Sequence, residues 1–327
     1  MVAAAELFGE QEILFPEIAA LAAGMWVIDK QVWRIGRRQA VWMMTLAAAF
    51  GWLVARLGLP AMAAIALTFL FAAGCQLLTR TSLAPMLSAC MLPVLLGADS
   101  PVYPVAVFIL TLTLSGGQLW MERRKLREPL CPVFHLPKRK QEGILWLRMF
   151  AVLMLLITVP LHAGLRYCIL PPLVVTFVEF SRPGAGLHKA AVTIYGLLVA
   201  GAVLGAGFRG LFCIGLGMPT ATAAVAACAC LFALFEWRGR IFAPAGAVAL
   251  IPLLLPAGDL LFYPPQVAAG AAVFITAGLL LAHEKPAAVS ADWFAAGQNA
   301  AGVWILPRIL LYLYEHINPT VCSYSRI

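Results

Sequence analysis

The sequence predicts an all-helical, polytopic integral membrane protein, and three observations carry that reading. Hydrophobic residues make up 62% of the 327 positions and charged residues only 12%, too few polar side chains to cover a water-facing surface. The apolar residues are gathered into uncharged runs separated by short loops that contain proline, glycine or arginine. Finally, one stretch occurs twice: Arg238 to Pro252 is echoed by Thr79 to Pro93. In both, an Ala-Pro opens an apolar segment, a second proline follows eight residues later, and arginine stands just upstream. An acid (Asp99, Asp259) and then a Tyr-Pro pair (Tyr103-Pro104, Tyr263-Pro264) follow each copy. Landmarks matched in the same order mark an internal duplication.

Taken in order, the chain divides into about eleven membrane segments. The first copy holds segments near 13–29, 39–55, 59–78, 82–97 and 102–120. The first opens at Pro16, a favoured place for proline in a helix. The second and third are divided by Leu57-Gly58-Leu59-Pro60. Segment 82–97 is shorter than the ~20 residues of a straight span. The segment near 144–161 has no counterpart and serves as a connector helix. The second copy repeats the plan near 168–180, 188–206, 217–236, 241–256 and 264–282, with Pro171-Pro172 answering Pro16 and Met218-Pro219 answering Leu59-Pro60. The domain layout is a tail (1–12), repeat 1 (13–120), a basic cytoplasmic loop (121–143), a connector (144–163), repeat 2 (164–283) and a C-terminal tail (284–327). That tail carries an interfacial patch near 303–314 with Trp304, Tyr312 and Tyr314.

The net charge of +8 has a place in this layout. If every segment crosses, all 23 lysines and arginines except Arg56, Arg166 and Arg209 fall on one side, which the positive-inside bias assigns to the cytoplasm. The N-terminus is then outside and the C-terminus inside a cell (cytoplasmic) membrane. An even number of crossings separates equivalent points, so the two five-segment repeats run parallel, related by an axis along the membrane normal. The acidic N-terminus lacks the basic start of a cleavable signal peptide.

At Phe242-Ala-Pro-Ala-Gly-Ala-Val-Ala-Leu-Ile-Pro252 the chain resembles the HPP family of integral membrane proteins. Pro244-Ala-Gly-Ala247 matches the family motif, whereas Phe242 stands where the motif histidine would be and Ala243 where its first proline would be. The first copy keeps Thr79-Arg80-Thr81 and Ala84-Pro85 without the Ala-Gly-Ala, and Leu170-Pro-Pro-Leu173 to Arg182-Pro183 is similar to the family's opening stretch. The resemblance covers about 164–283 and, more faintly, the first copy. It implies a fused, diverged pair of a unit usually present once, and a link to nitrite transport through the plant chloroplast members. Any role of the motif imidazole does not carry over to Phe242.

The paired short segments hold the candidate substrate-binding residues: Arg80, Thr81, Ser82, Pro85, Arg240, Phe242, Pro244 and Gly246. A helix that begins inside the hydrocarbon leaves its first amides without intrahelical partners, and these favour an anion. Broken segments at corresponding places in two halves mark transport sites. The plainer reading is that Arg80, Arg238 and Arg240 end segments at the lipid phosphates. Glu17 and Glu179 are candidate proton-coupling groups, since an acid within a span is costly and functional by default. Their structural readings are a helix N-terminus for Glu17 and an ion pair with Arg182 for Glu179.

No metal or cofactor is expected. The eight cysteines are scattered, and the five histidines lie in loops or at segment ends without metal spacing. Leu114-Ser-Gly-Gly-Gln118 has the letters of an ATPase signature, but no phosphate loop accompanies it. Gly205-Ala-Gly-Phe-Arg-Gly210 has no βαβ context, and Gly201 with Gly205 reads better as a close-packing face. The absence of a nucleophile–base motif argues against an enzyme. Two functions remain: a transporter or channel for a small solute, such as an inorganic anion like nitrite, or a non-transporting scaffold whose basic loop binds a protein or anionic lipid. The expected partners are the lipid bilayer, a small-molecule or ion substrate and other copies of the chain as a homo-oligomer, with no nucleic acid.

Overall fold

The computed structural model describes residues 1–28, 32–98, 100–126, 139–182 and 186–283. Asp99, the centre of the basic loop and the patch near 303–314 lie outside them. Among the described residues every regular element is helical. The chain runs through α1 (Val2–Phe8), α2 (Glu17–Ala22), α3 (Arg37–Arg56), α4 (Ala61–Thr79), α5 (Pro85–Leu96), α6 (Val102–Arg123) and α7 (Arg139–His162). It continues through α8 (Pro171–Phe180), α9 (Ala191–Phe208), α10 (Thr220–Arg238), α11 (Ala243–Leu250) and α12 (Tyr263–His283).

Length and hydropathy pick out two kinds among these helices, with α1, α2 and α3 in neither. Six are long and apolar enough to cross a membrane: Ala61–Thr79, Val102–Arg123, Gln141–His162, His188–Gly215, Thr220–Arg238 and Tyr263–His283. Their outward faces are apolar, with Leu155, Val159, Val225 and Leu280 exposed; exposed apolar surface on this scale fits lipid, not water. The chain is therefore read as a multi-pass helical membrane protein. The second kind, Pro85–Leu96, Pro171–Phe180 and Ala243–Leu254, is apolar but short. Twelve residues of helix in α5 reach about 18 Å, well under the ~30 Å hydrocarbon core.

The short helices are the centre of the molecule. Every residue of α8 and α11, and Pro85 through Pro93 of α5, is buried. An apolar helix can also face lipid, but one too short to span leaves its end amides and carbonyls within the hydrocarbon, and these are tolerated only where protein encloses them. They cross-pack, α2 against α11 and α5 against α8; α3 and α4 pack on α5, α9 and α10 pack on α11, α6 lies against α3, and α12 lies against α8 and α9. Close approach is set by glycine. A Cβ on Gly51 of α3 would lie 2.1 Å from the carbonyl oxygen of Cys90, and one on Gly205 of α9 would lie 2.1 Å from that of Ala249. Gly201 meets the Ala245 carbonyl in the same way, at 2.8 Å. Gly201 and Gly205 thus form the packing face read from their spacing.

Element ends differ from the sequence expectation where backbone hydrogen bonding changes. The first segment is broken at Leu14–Pro16 and, after α2, widens into a π turn at Ala23–Val27. The segment expected to stop near 206 continues as a π turn over Arg209–Gly215. There the Arg209 guanidinium donates to the carbonyls of Pro252 and Leu255, at the end of the helical turn that follows α11. A cation is favoured at such an end.

Candidate functional site

The proline pattern has a local physical cause. Proline has no N–H, so a helical proline leaves the carbonyl four residues earlier without its donor. Pro93 orphans Ala89, and Pro252 orphans Val248. In the structure the Tyr103 hydroxyl donates to the Ala89 carbonyl at 2.9 Å, and the Tyr263 hydroxyl donates to the Val248 carbonyl at 2.7 Å. Both tyrosines are buried, Tyr103 edge-on to Phe15 (6.1 Å between ring centres) and Tyr263 edge-on to Tyr167 (5.7 Å). The second proline and the Tyr-Pro pair of each sequence copy are therefore two parts of one device. It holds the short helix against α6 in one case and α12 in the other.

Between the short helices lies a cavity of about 10 Å³, close to the space of one water. Its walls come from all four: Glu17 and Ala20 of α2, Pro85 and Ser88 of α5, Pro172, Val175 and Glu179 of α8, and Ala243, Pro244 and Ala247 of α11. Trp33 closes it. Except for Glu179, the helix residues belong to the first turns, so the starts of α5, α8 and α11 face a common point. Glu17 is 1% exposed and neither carboxylate oxygen has a hydrogen-bond partner of ordinary geometry; the Ser88 hydroxyl and the residue's own amide are the near polar groups. The Trp33 Nε1 is also buried without a partner.

Two opposed effects act on Glu17. A charge at the centre of a membrane costs ~2.5–3.5 kcal/mol on insertion scales, and a buried carboxylate without hydrogen bonds is worse placed still. Against this, each helix start turned towards it contributes ~0.3–1 kcal/mol. The terms are of similar size, so neither locks the group in one state.

Glu179 lies on the same cavity and is buried, and Arg182 one turn later is close enough to act on it electrostatically. Arg182 also feels Glu142 and Arg34, stacks over the Trp146 ring at 5.7 Å, and lies beside the Arg34–Glu142 ion pair of 3.2 Å. These groups form a charged end to the bundle, to which Arg37 adds an ion pair with Glu122.

The other sequence candidates are placed differently. Arg80 is exposed and caps α4 in the left-handed conformation (φ 53°); Gly239 does the same for α10 (φ 61°). The Thr81 hydroxyl meets that of Thr79 at 2.9 Å, and the Ser82 hydroxyl accepts from the Arg34 N–H at 2.9 Å. Arg240 is half-buried, Phe242 is the buried cap of α11, and Gly246 packs on Ala19, where a Cβ would come within 3.2 Å. Pro85 and Pro244 share the cavity; Arg80, Thr81, Ser82, Arg240, Phe242 and Gly246 do not line it. Glu17 and Glu179, placed at non-equivalent points of the two copies, do meet there.

Ser88, Trp33, Tyr103 and Tyr263 were not among the sequence candidates. Ser88 carried a signal, as a polar residue one turn after Pro85 in an apolar run. The tyrosines were visible as landmarks without a role. Trp33 gave no signal, since its position comes from the loop before α3.

Among the described residues no group of three or more His, Cys, Asp or Glu could hold a metal. No family model, no curated protein and no solved structure matches the chain.

Proposed function

We propose that the chain is a membrane transporter or channel that moves a small solute through the junction of its short helices. The observation that carries this reading is the cavity where α2, α5, α8 and α11 meet around two buried carboxyls. Helix breaks that converge in mid-membrane supply backbone donors where lipid offers none, the common construction of a solute site. A separate, wider pocket of about 400 Å³ has Glu10, Glu12 and Tyr103 in its walls. Trp33 is shared with a smaller pocket that includes Gly24, Arg37 and Gln118. Trp33 then stands as the barrier between the junction and that smaller pocket.

The reading includes two parallel repeats, α2–α6 and α8–α12, with α7 as connector. Its support is the equivalence of contacts at fixed distance from the short-helix prolines. The carbonyl four residues after Pro85 or Pro244 takes the tyrosine hydroxyl, and the one five residues after faces a glycine. The HPP resemblance agrees with a fused pair of such units. The charged end with Arg34, Arg37 and Arg182 is the cytoplasmic one, by the positive-inside bias, and the starts of α5, α8 and α11 make a small inorganic anion such as nitrite the first solute to test.

Uptake into proteoliposomes is the test, with nitrite, other small anions and small neutral solutes tried against protein-free vesicles. Flux above the control supports the reading, and its loss in Ser88→Leu, which fills the junction, locates the path. A folded, reconstituted protein that moves none of these solutes overturns it.

A further inference from the structure

We propose that Glu17 is a proton-binding site, and that the proton it takes up and releases is the coupling ion of the junction; this rests on the transport reading above. The ligand class follows from what surrounds the carboxyl. Its cavity of about 10 Å³ admits one water at most. The walls other than Ser88, Glu179 and Trp33 are alanine, valine and proline. An alkali or divalent cation needs about six oxygen ligands, which this set does not supply. A proton needs none.

Charge counting singles out Glu17. From the elements around α2, α6 presents Tyr103, α12 presents Tyr263, and α5 presents Ser88 with Cys90 beyond it; α11 contributes no titratable group. From α8 comes Glu179, which has Arg182 behind it, as Glu142 has Arg34. Two acids and two arginines balance in that cluster. Glu17 is the acid left over, 1% exposed with neither oxygen in a hydrogen bond of ordinary geometry. A neutral carboxyl resolves that burial. The facing starts of α5, α8 and α11 favour the ionised form, so the proton can leave. Glu179 on the same wall, within electrostatic reach of Arg182 at the charged end, is the neighbouring acceptor. The step is a transfer between carboxyls: the Glu17 O–H bond breaks, Glu179 or a water gains the proton, and the charge on Glu17 faces the helix starts.

The experiment is infrared difference spectroscopy on the full chain in lipid, stepped between mildly acidic and alkaline pH in light and heavy water. The expected result is a protonated-carboxyl band near neutral pH that shifts on deuteration and falls as pH rises. Glu17→Gln abolishes it, whereas Arg80→Ala leaves it unchanged. A missing band near neutral pH, or one that survives Glu17→Gln, overturns the proposal. Should Glu17→Gln not yield a monodisperse protein, Glu17→Asp decides: a changed band frequency supports the assignment and an unchanged one overturns it. The readout is independent of solute flux. A protein that transports without the band uses another coupling ion, and a band without flux ends the transport reading instead.

Discussion

The Tyr263 hydroxyl donates to the carbonyl of Val248, the acceptor that Pro252 leaves without an amide. Removing the hydroxyl exposes a buried, unsatisfied carbonyl, which costs ~1–3 kcal/mol. Tyr263→Phe should therefore lower the midpoint of unfolding in detergent. The double variant Tyr263→Phe/Pro252→Ala should recover part of the loss, because residue 252 regains an N–H. A double-mutant cycle measures the coupling; strict additivity would mean that the tyrosine does not answer the proline.

Helix α9 can approach α11 because Gly205 has no side chain. Gly205→Val places atoms on the Ala249 carbonyl and should cost ~1–3 kcal/mol as overpacking. Gly207, two residues on, has no atom within 4 Å of where a Cβ would stand, so Gly207→Val is the matched control. Thermal aggregation followed by size-exclusion chromatography separates them.

If solute passes the junction, residues on the cavity wall should matter more than the arginines beside it. Glu17→Gln should reduce flux about tenfold or more, equivalent to ~1.4 kcal/mol of barrier. Arg80→Ala, at an exposed helix end, should change it less than twofold. The reverse order in a proteoliposome assay would move the site to the helix caps.

Glu6 is exposed at the end of the bundle away from Arg34, where it binds the start of α10. Slight burial alone would raise its carboxyl, but hydrogen bonds from Thr220 and the Ala221 amide outweigh that and hold it below its ordinary value. The sign follows: the tie is present above the ordinary glutamate range, about pH 4.3, and is lost as pH falls through the lowered value. Hydrogen exchange at Thr220 and Ala221 should speed up below that range in the native chain, and at all pH values in Glu6→Gln.

Much of the fold was legible in the sequence, because membrane helices need long uncharged runs and breaks in those runs are conspicuous. The prolines at 85 and 244 announced two of the short helices, whereas the brevity of α8 and the burial of all three came only with the structure. The candidate site was half legible. Glu17 and Glu179 stood out by their cost in lipid, but sequence spacing put them at unrelated points, and only the crossing of α2 with α11 and of α5 with α8 brings them to one cavity. Arg80 shows the opposite relation, lying away from the cavity although it is near Pro85 in sequence. Its nearness to Pro85 along the chain says nothing of depth, and the left-handed turn at the end of α4 leaves it exposed.

The carboxylate of Glu12 accepts from the Ser100 amide at 3.0 Å, ahead of α6, while Glu6 reaches Thr220, 214 positions further along. Glu6 is thus made long before the helix start it binds, and it can dock only once α10 exists. A bulky fusion at that end would interrupt a clasp between early-made and late-made parts of the chain.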